Sequence, residues 1–431
     1  MAKIFPRVRI SLTLVFVATF AVVGTAFGGS SPDAKKTSLT IGHGALVFDV
    51  FAPFSGPDAA YGAHAIPSAE AGAFGINRLG GVLGHKFSIT QTDSRGDPAD
   101  AVPVLNQVVA TTTNLEAVLG PTSDEAVATM PILRRDGIPT FAQAPLVQLT
   151  HLRSKWVYQI LAPDSTAGIA MAYIAARIHH WKKGALVFDS AAGAQDLAGP
   201  VTNAYKKMGG KLVANITLTP DAASYRTEIL KLVASHPQVI FTETDAQTAA
   251  TLWSELKQIH GLTIPAVGSG PTTGPDYFQA VSAALGNKSS LGKFLTSETF
   301  STKYTKATQY FLADLNRWQP GANPLLNHVN YWDSLNVIAL AMLHAHSVNP
   351  NKWIPAVKWV TNDRKAVKVY DFQQGKKEMS KHKRIQYIGT KGSMYFNKYN
   401  TVTTNFEAVH FTGNGNLKTV HQIPASQLSK Y

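Results

Sequence analysis

The sequence contains no cysteine among its 431 residues. This absence excludes disulfides, thiolate metal sites and a cysteine nucleophile. It also removes the residue that carries the thioether lipid anchor of an exported lipoprotein. Acidic residues are few, with 27 Asp and Glu against 40 Lys and Arg, so the net charge is +13. A charge of this sign favours association with anionic partners but does not determine the fold.

Motifs for catalysis are also missing from the sequence. It has no Gly-x-Ser-x-Gly nucleophile elbow and no Gly-x-x-x-x-Gly-Lys-Ser/Thr phosphate loop. The fourteen His residues lack His-Glu-x-x-His spacing. His179 and His180 are adjacent, which places them on different faces of a helix. The sequence therefore predicts a protein that is not an enzyme and that uses no metal and no cofactor.

The positive charge is concentrated near the carboxyl terminus. Five basic residues fall within nine positions, namely Lys376, Lys377, Lys381, Lys383 and Arg384. The aromatic-interleaved repeats of nucleic-acid modules are absent, so no nucleic-acid partner is expected. We interpret the run as a solvated face; the alternative is a docking patch for a partner or an anionic surface.

The amino terminus has the pattern of an export signal. Lys3, Arg7 and Arg9 precede an apolar stretch over residues 10–23, and small residues follow at positions 24–26. We predict a signal peptide over 1–26, a polar tether over 27–39, and a periplasmic or secreted protein without a lipoprotein cysteine. The alternative is an uncleaved anchor, because the apolar stretch is near the lower limit for spanning a bilayer.

From residue 46 onward, short apolar runs alternate with longer amphipathic ones. A strand at 46–51, a helix at 62–79 and a strand at 87–91 begin a rhythm that restarts after Tyr158. Strands separated by helices indicate parallel βαβ units, so we predict an α/β fold with two doubly wound parallel-sheet lobes joined by a multi-stranded hinge. The predicted lobes are 40–160 plus 271–375 for lobe I, and 161–270 plus 376–431 for lobe II. Ligands of such sheets collect at strand carboxyl ends, here in a cleft between the lobes.

An ordered series of motifs resembles the periplasmic leucine/isoleucine/valine-binding protein family, the type I solute-binding proteins of ABC importers. The motifs are Phe51-Ala52-Pro53-Phe54-Ser55-Gly56-Pro57, Tyr61-Gly62, Asn77-Arg78-Leu79-Gly80-Gly81, Thr92-Asp93-Ser94-Arg95-Gly96-Asp97-Pro98, Leu119-Gly120-Pro121-Thr122-Ser123, Arg135-Asp136-Gly137-Ile138-Pro139, Tyr331-Trp332-Asp333 and residues 389–396. Together they cover most of residues 40–400.

The resemblance implies the periplasmic-binding-protein type I fold and an extracytoplasmic protein that delivers a small-molecule solute to an importer. The implied partner is an ABC permease with its cytoplasmic ATPase, and a monomer is expected. The alternative is a ligand-sensing receptor module on the same fold that signals to a membrane partner.

Thr122 and Ser123 are the first candidate site residues. They follow a strand and a Gly-Pro turn, just before an apolar helix. Hydroxyls and free N–H groups at a helix start bind carboxylates well, and the family's carboxylate-binding serine matches Ser123. The alternative is an N-cap that is satisfied within the chain.

Further candidates come from three other loops. Gln143 and Ala144 stand in the family's second ligand loop, where Ala144 fits a backbone-contact position. Tyr61 either covers a ligand or packs on its helix. Asp245, like Glu243, either meets a ligand ammonium or caps the following helix.

Two departures from the family bear on the solute. Pro145 stands where a threonine is common and offers neither a hydroxyl nor an N–H. Residues 268–271, where the family's acidic partner for the ligand ammonium is expected, hold no carboxylate. A buried ammonium without a partner costs on the order of several kcal/mol. We therefore expect branched-chain amino acids to bind poorly, and an acid, amide or neutral solute to fit better.

Overall fold

The structure of this chain is a computed structural model that describes residues 44–55, 59–122, 125–301, 305–322 and 329–431. The predicted signal peptide (1–26) and tether (27–39) lie outside the described residues. Within the described ranges, no helix has both the length and the apolar character needed to cross a membrane.

The first lobe is built on five parallel strands. They are ordered β2-β1-β3-β4-β5 across the sheet. Their bounds are β1 Leu46–Ala52, β2 Phe87–Asp93, β3 Leu115–Leu119, β4 Thr140–Ala142 and β5 Val157–Gln159. The central strands β1 and β3 read as nearly continuous apolar runs because helices cover both faces of a parallel sheet. Asp49 is the exception in β1: it is buried and accepts hydrogen bonds from the Thr90 and Thr92 hydroxyls.

Helices from two distant parts of the chain cover this sheet. They are α1 Ala59–Asn77, α2 Pro98–Thr111, α3 Glu125–Arg135, α10 Lys306–Trp318, α11 Asn330–Ala345, α12 Pro350–Trp353, α13 Ala356–Thr361 and α14 Phe372–Met379. Helix α11 is buried along most of its length, and it packs against α1. A small third sheet, ordered β11-β12-β13, joins the same core and consists of β11 Val367–Val369, β12 Ile385–Gly389 and β13 Gly392–Ser393.

The second lobe is built on seven strands ordered β15-β14-β10-β9-β8-β6-β7. Five are parallel, and the last two along the chain add antiparallel at one edge. Their bounds are β6 Lys183–Asp189, β7 Lys211–Leu218, β8 Val239–Glu243, β9 Ala266–Gly268, β10 Leu295–Phe300, β14 Phe406–Phe411 and β15 Leu417–Ile423. The helices are α4 Asp164–Tyr173, which continues as a π turn over Ile174–Ile178, α5 Ala192–Lys207, α6 Arg226–Ala234, α7 Ala246–His260, α8 Pro275–Leu285, α9 Leu291–Phe294 and α15 Ala425–Leu428.

The chain passes between the lobes three times. Ile160 packs in the first core and Ala162 in the second; Phe300 packs with the second and Ala307 with the first; Val402 packs in the first and Phe406 in the second. Backbone hydrogen bonds join the crossings in pairs, Val402 N to Gln159 O at 2.9 Å and Ser301 N to Asn405 O at 3.0 Å. The predicted α/β fold of two parallel-sheet lobes with a multi-stranded hinge is confirmed.

The lobe boundaries differ from those predicted from the sequence. Residues 271–300 were assigned to lobe I, but β10 pairs in parallel with β9, and α8 packs in the second lobe's core. Residues 376–402 were assigned to lobe II, but Tyr387 and Phe396 are buried in the first lobe's core. Apolar periodicity marks the elements but does not indicate which sheet a strand joins. The described residues of lobe I therefore fall within 44–160 and 305–402, and those of lobe II within 161–301 and 405–431.

Candidate functional site

The carboxyl ends of both parallel sheets face the hinge. Strand β5 ends at Gln159 and leads directly into the first crossing, and β10 ends at Phe300 at the second crossing. Because parallel strands share one carboxyl edge, the loops that follow the other strands of each sheet lie at the same edge. The two edges are in contact where the Asp164 N–H of α4 donates to the Pro145 carbonyl at 2.8 Å. We call the loops on these facing edges the cleft loops.

The cleft loop after β4 contains Gln143 and Ala144. Ala144 is fully buried, and its carbonyl accepts a hydrogen bond from Gln159 Nε2 at 2.8 Å. The same amide donates to the Leu146 carbonyl at 3.1 Å, so Gln159 holds the loop. Gln143 is only 6% exposed, and its Nε2 has no hydrogen-bond partner among the described residues. A buried amide without a partner is costly, which makes Gln143 the clearest candidate in lobe I for a ligand contact.

Thr122 is used within the protein. Its N–H and its hydroxyl both donate to Glu125 Oε1, at 3.2 and 3.1 Å. Ser94 of a neighbouring cleft loop donates to the same oxygen at 3.1 Å, and Glu125 is fully buried. Thr122 lies three residues before Glu125, the first residue of α3, and both of its donors are used within the protein. Ser123 lies outside the described residues.

The cleft loops after β1 and β2 are tied together by Asp93. Its carboxylate accepts hydrogen bonds from Phe54 N at 2.8 Å, the Ser55 hydroxyl at 2.6 Å and Arg95 N at 2.9 Å. Partial burial acts to raise the pKa of Asp93, but these hydrogen bonds outweigh it and lower the pKa. Tyr61 lies in the first turn of α1, the next element along the chain.

Lobe II presents carboxyl groups at its facing edge. Glu243 ends β8, Glu298 lies in β10, and Asp164 starts α4 beside the hinge. Burial, followed by repulsion from Glu243 and Asp196, raises the pKa of Asp164 to about 7. Burial raises the pKa of Glu298 to about 8, although the Gly270 N–H donates to its Oε1 at 2.9 Å, and Glu243 and Asp164 add to the increase.

No described Lys or Arg forms a salt bridge with these three carboxyl groups. Burial raises the pKa of Glu243; a hydrogen bond with the Ser269 side chain opposes this increase, and repulsion from Asp189 adds to it. The three groups thus form an acidic cluster with like-charge coupling, and no Lys or Arg of the described ranges is paired with it. Within the described ranges, no three His, Asp or Glu side chains are arranged to hold a metal ion.

Asp245 acts as a helix cap. Its exposed carboxylate accepts hydrogen bonds from Gln247 N at 2.8 Å and Thr248 N at 2.9 Å, the first free amides of α7. Its own N–H donates to Asp189 Oδ2 at 3.1 Å. Of the two roles considered for Asp245, ammonium partner and helix cap, the structure therefore shows the helix cap.

The structure brings Thr122, Gln143 and Ala144 to one cleft edge and Asp245 to the loops of the other. The sequence analysis did not identify Glu125, Asp164 or Glu298. The Thr122-x-x-Glu125 spacing is a capping-box signal that would have identified Glu125. Glu298 gives no such signal, because a carboxylate near the end of a strand is usually solvated. Its hydrogen bond to Gly270 N places a carboxyl group at the loop over 268–271, where the sequence has none.

Comparisons with known proteins agree with this architecture. The family model of periplasmic binding proteins matches residues 50–386. The Leu/Ile/Val-binding protein BraC3 of Rhizobium johnstonii is 24% identical over 277 residues, which cover 63% of this chain and 72% of that protein. The leucine-binding protein LivK of Thermotoga maritima superposes with a TM-score of 0.65 at 15% identity, over 88% of this chain and 99% of that one.

A second solved structure with the same fold is an ABC transporter solute-binding protein of R. palustris in complex with benzoate. It has a TM-score of 0.60 at 16% identity and covers 88% of this chain and 97% of that one. At this identity, both structural matches show the fold alone.

Proposed function

We propose, from the premise that this chain belongs to the periplasmic binding protein family, that it is an extracytoplasmic receptor that closes over a small solute and delivers it to an ABC importer. The family is a substrate-binding family and not an enzyme family. The proposed partners are the solute and an ABC permease with its cytoplasmic ATPase, and the protein is proposed to act as a monomer.

One observation carries this proposal: two sheets present their carboxyl edges to each other across three crossings, and these edges hold buried polar groups that have no hydrogen-bond partner among the described residues. Rotation about such a hinge brings the edges together around a solute. The closed surface then differs from the open one, which is what a permease needs to distinguish the loaded state.

The acidic cluster supports a more specific proposal about the solute. Asp164, Glu243 and Glu298 are coupled and form no salt bridge with a Lys or Arg that the structure describes, so a positively charged amine on the solute would stabilise their ionised forms. Gln143 Nε2 supplies a donor from the opposite edge for a carbonyl or carboxylate. We therefore propose an amine-bearing solute such as an amino acid. This replaces the expectation of an acid, amide or neutral solute, which depended on a cleft without carboxylates.

A ligand panel measured by differential scanning fluorimetry and calorimetry tests the proposal. We expect amino acids to raise the melting temperature more than benzoate, simple amides or polyols. Glu243→Gln should weaken binding of the best amine about tenfold, by removing a charge-assisted hydrogen bond, whereas the exposed control Asp276→Asn should not.

The affinity for the amine should increase as pH rises towards about 8, because the carboxyl groups must lose protons to attract the amine. Stronger binding of benzoate than of every amine would refute the proposed solute class.

A further inference from the structure

A groove on the first lobe lies apart from the cleft loops. It lies between the carboxyl end of α11, helices α13 and α14, and the segment that follows α14, and its cavity volume is about 480 Å³. Nine residues line it: Leu343, His344, His346, Trp359, Lys376, Met379, Ser380, His382 and Lys383. Asn330, near the start of α11, lines a cavity beside the hinge. Fourteen residues of helix separate Asn330 from His344, so the groove is about 20 Å from the hinge.

The groove combines an apolar floor with a cationic rim. Leu343, Met379 and Trp359 supply the floor, and the exposed Lys376 and Lys383 stand on the rim. The segment from 352 to 384 that frames it contains ten Lys and Arg against three Asp and Glu, a net +7 of the chain's +13. This positive charge favours an anionic partner through charge complementarity.

The acidic residues near the groove offset only part of this charge. Glu378 pairs with Lys381 at 3.0 Å and Lys383 at 2.9 Å, and Asp363 pairs with Arg384 at 2.8 Å. Lys376 forms no salt bridge with a described residue; its Nζ donates to the Leu79 carbonyl at 3.1 Å. The rim therefore retains an excess of positive charge that faces solvent.

The floor favours an amphiphile over a nucleic acid. The His344 ring stacks on Trp359, with centroids 3.6 Å apart and planes 11° from parallel. The Arg384 guanidinium lies 5.9 Å from the Trp359 ring centroid. A stacked imidazole leaves that face of Trp359 closed to a nucleobase, whereas the aliphatic Leu343 and Met379 suit the glycerol and first acyl carbons of a lipid.

We propose that this groove docks the protein on an anionic phospholipid membrane, with the lipid headgroup on the lysine rim and Trp359 at the interfacial depth that tryptophan prefers. This docking is a function separate from solute capture and stands on different residues. It holds lobe I at a lipid surface while the cleft loops, about 20 Å away along α11, stay open to solute.

Vesicle co-sedimentation of the full chain tests the docking. We expect binding to phosphatidylglycerol-containing vesicles, none to pure phosphatidylcholine, and loss of binding as salt is added. Each basic side chain near an anionic surface multiplies affinity roughly fivefold, so Lys376→Gln with Lys383→Gln should weaken binding at least about tenfold. The matched control, Lys206→Gln with Lys207→Gln on the exposed end of α5, removes equal charge from lobe II and should weaken it less than about twofold.

Three outcomes would overturn the proposal. Equal losses in the two double variants would show that net charge alone binds the vesicles. Displacement from vesicles by inorganic phosphate, but not by chloride at the same ionic strength, would indicate a site for free phosphate. Single-stranded RNA that bound more tightly than the vesicles and depended on Lys376 and Lys383 would indicate a nucleic-acid site.

Trp359→Leu should also weaken vesicle binding. Unchanged solute binding in every variant would show that the lobes remain folded.

Discussion

Gln143 and Gln159 carry the same side-chain amide at the same cleft loop, but their surroundings differ. Gln159 Nε2 donates to two carbonyls, those of Ala144 and Leu146, whereas Gln143 Nε2 is buried and has no hydrogen-bond partner in the part of the chain that the structure describes. At the scale of single residues, we infer that Gln159 stabilises the fold, because its amide is hydrogen-bonded within the protein. Gln143 is instead the residue available to a ligand, because its amide is not.

This contrast predicts opposite effects of one substitution at the two positions. Gln143→Leu should leave the free energy of unfolding unchanged or raise it by about 1 kcal/mol, because an unpaired buried amide is lost. It should also weaken solute binding about tenfold. Gln159→Leu should lower the free energy of unfolding by about 1–3 kcal/mol, because two buried carbonyls lose their donor. Urea unfolding and calorimetry measure both, and equal destabilisation by the two variants would contradict the distinction.

At the same scale, Glu298 makes the stability of the protein depend on pH. Its pKa in the folded protein, about 8, lies above the ordinary value of 4.5, so the folded state keeps a proton that the unfolded chain releases. Stability of the solute-free protein should therefore fall as pH rises from 4.5 towards 8. Glu116 and Asp164, with pKa values of about 7, act in the same direction. Glu298→Gln should flatten the decline in melting temperature, and an unchanged slope would refute this role.

At the scale of elements, a polar side chain at the start of a helix can bond to that helix or to the solute, and one interaction prevents the other. Thr122 donates to Glu125 ahead of α3, and Asp245 accepts from two amides of α7. Both were candidates for ligand contact, and both are occupied by their own helix. A hydroxyl or carboxylate at a strand–helix junction therefore has to be tested for capping before it is assigned to a ligand.

The cap at α7 predicts a stability effect without a binding effect. Asp245→Ala should lower the free energy of unfolding by about 1 kcal/mol, because Gln247 N and Thr248 N lose their acceptor. Asp245→Ser should restore most of it, since serine also caps helices well. Solute affinity measured by calorimetry should stay within about twofold of the wild type. A tenfold loss of affinity in Asp245→Ala, with stability unchanged, would assign the residue to the ligand instead.

At the scale of the whole molecule, three crossings join two lobes whose direct edge contact includes the hydrogen bond from Asp164 N to Pro145 O. A solute that contacts both edges shifts the lobes towards closure about the hinge. The absence of cysteine is useful here, because an introduced pair can be labelled without competing thiols.

Spin labels on Ala110→Cys in lobe I and Ala234→Cys in lobe II report closure. Both positions are exposed, near the ends of α2 and α6. We expect pulsed electron paramagnetic resonance to show a changed and narrower distribution of distances between the two labels when the best amine is added. The reason is that closure selects one arrangement of the lobes. A pair placed within lobe I, Ala110→Cys with Lys352→Cys, should not change. Identical distributions with and without a solute that raises the melting temperature would contradict the clamp.

The sequence by itself determined the α/β class and the alternation that makes the parallel strands. Both follow from local periodicity, which a linear pattern records directly. The choice of Gln143 and Ala144 followed instead from the family resemblance, which implies that they stand in a ligand loop. The sequence also showed the concentration of basic residues between 376 and 384, although not the groove beside them.

Tertiary structure alone decided which lobe each late element joins and which polar groups are left without partners. Strand β10 looks the same in sequence whichever sheet it extends, and only its pairing with β9 places it in lobe II. That pairing brings Glu298 to Gly270 N across 28 residues of chain, which supplies the carboxyl group that the loop itself lacks. Burial and electrostatic coupling depend on distances through space, so the acidic cluster could not be identified before the chain was folded.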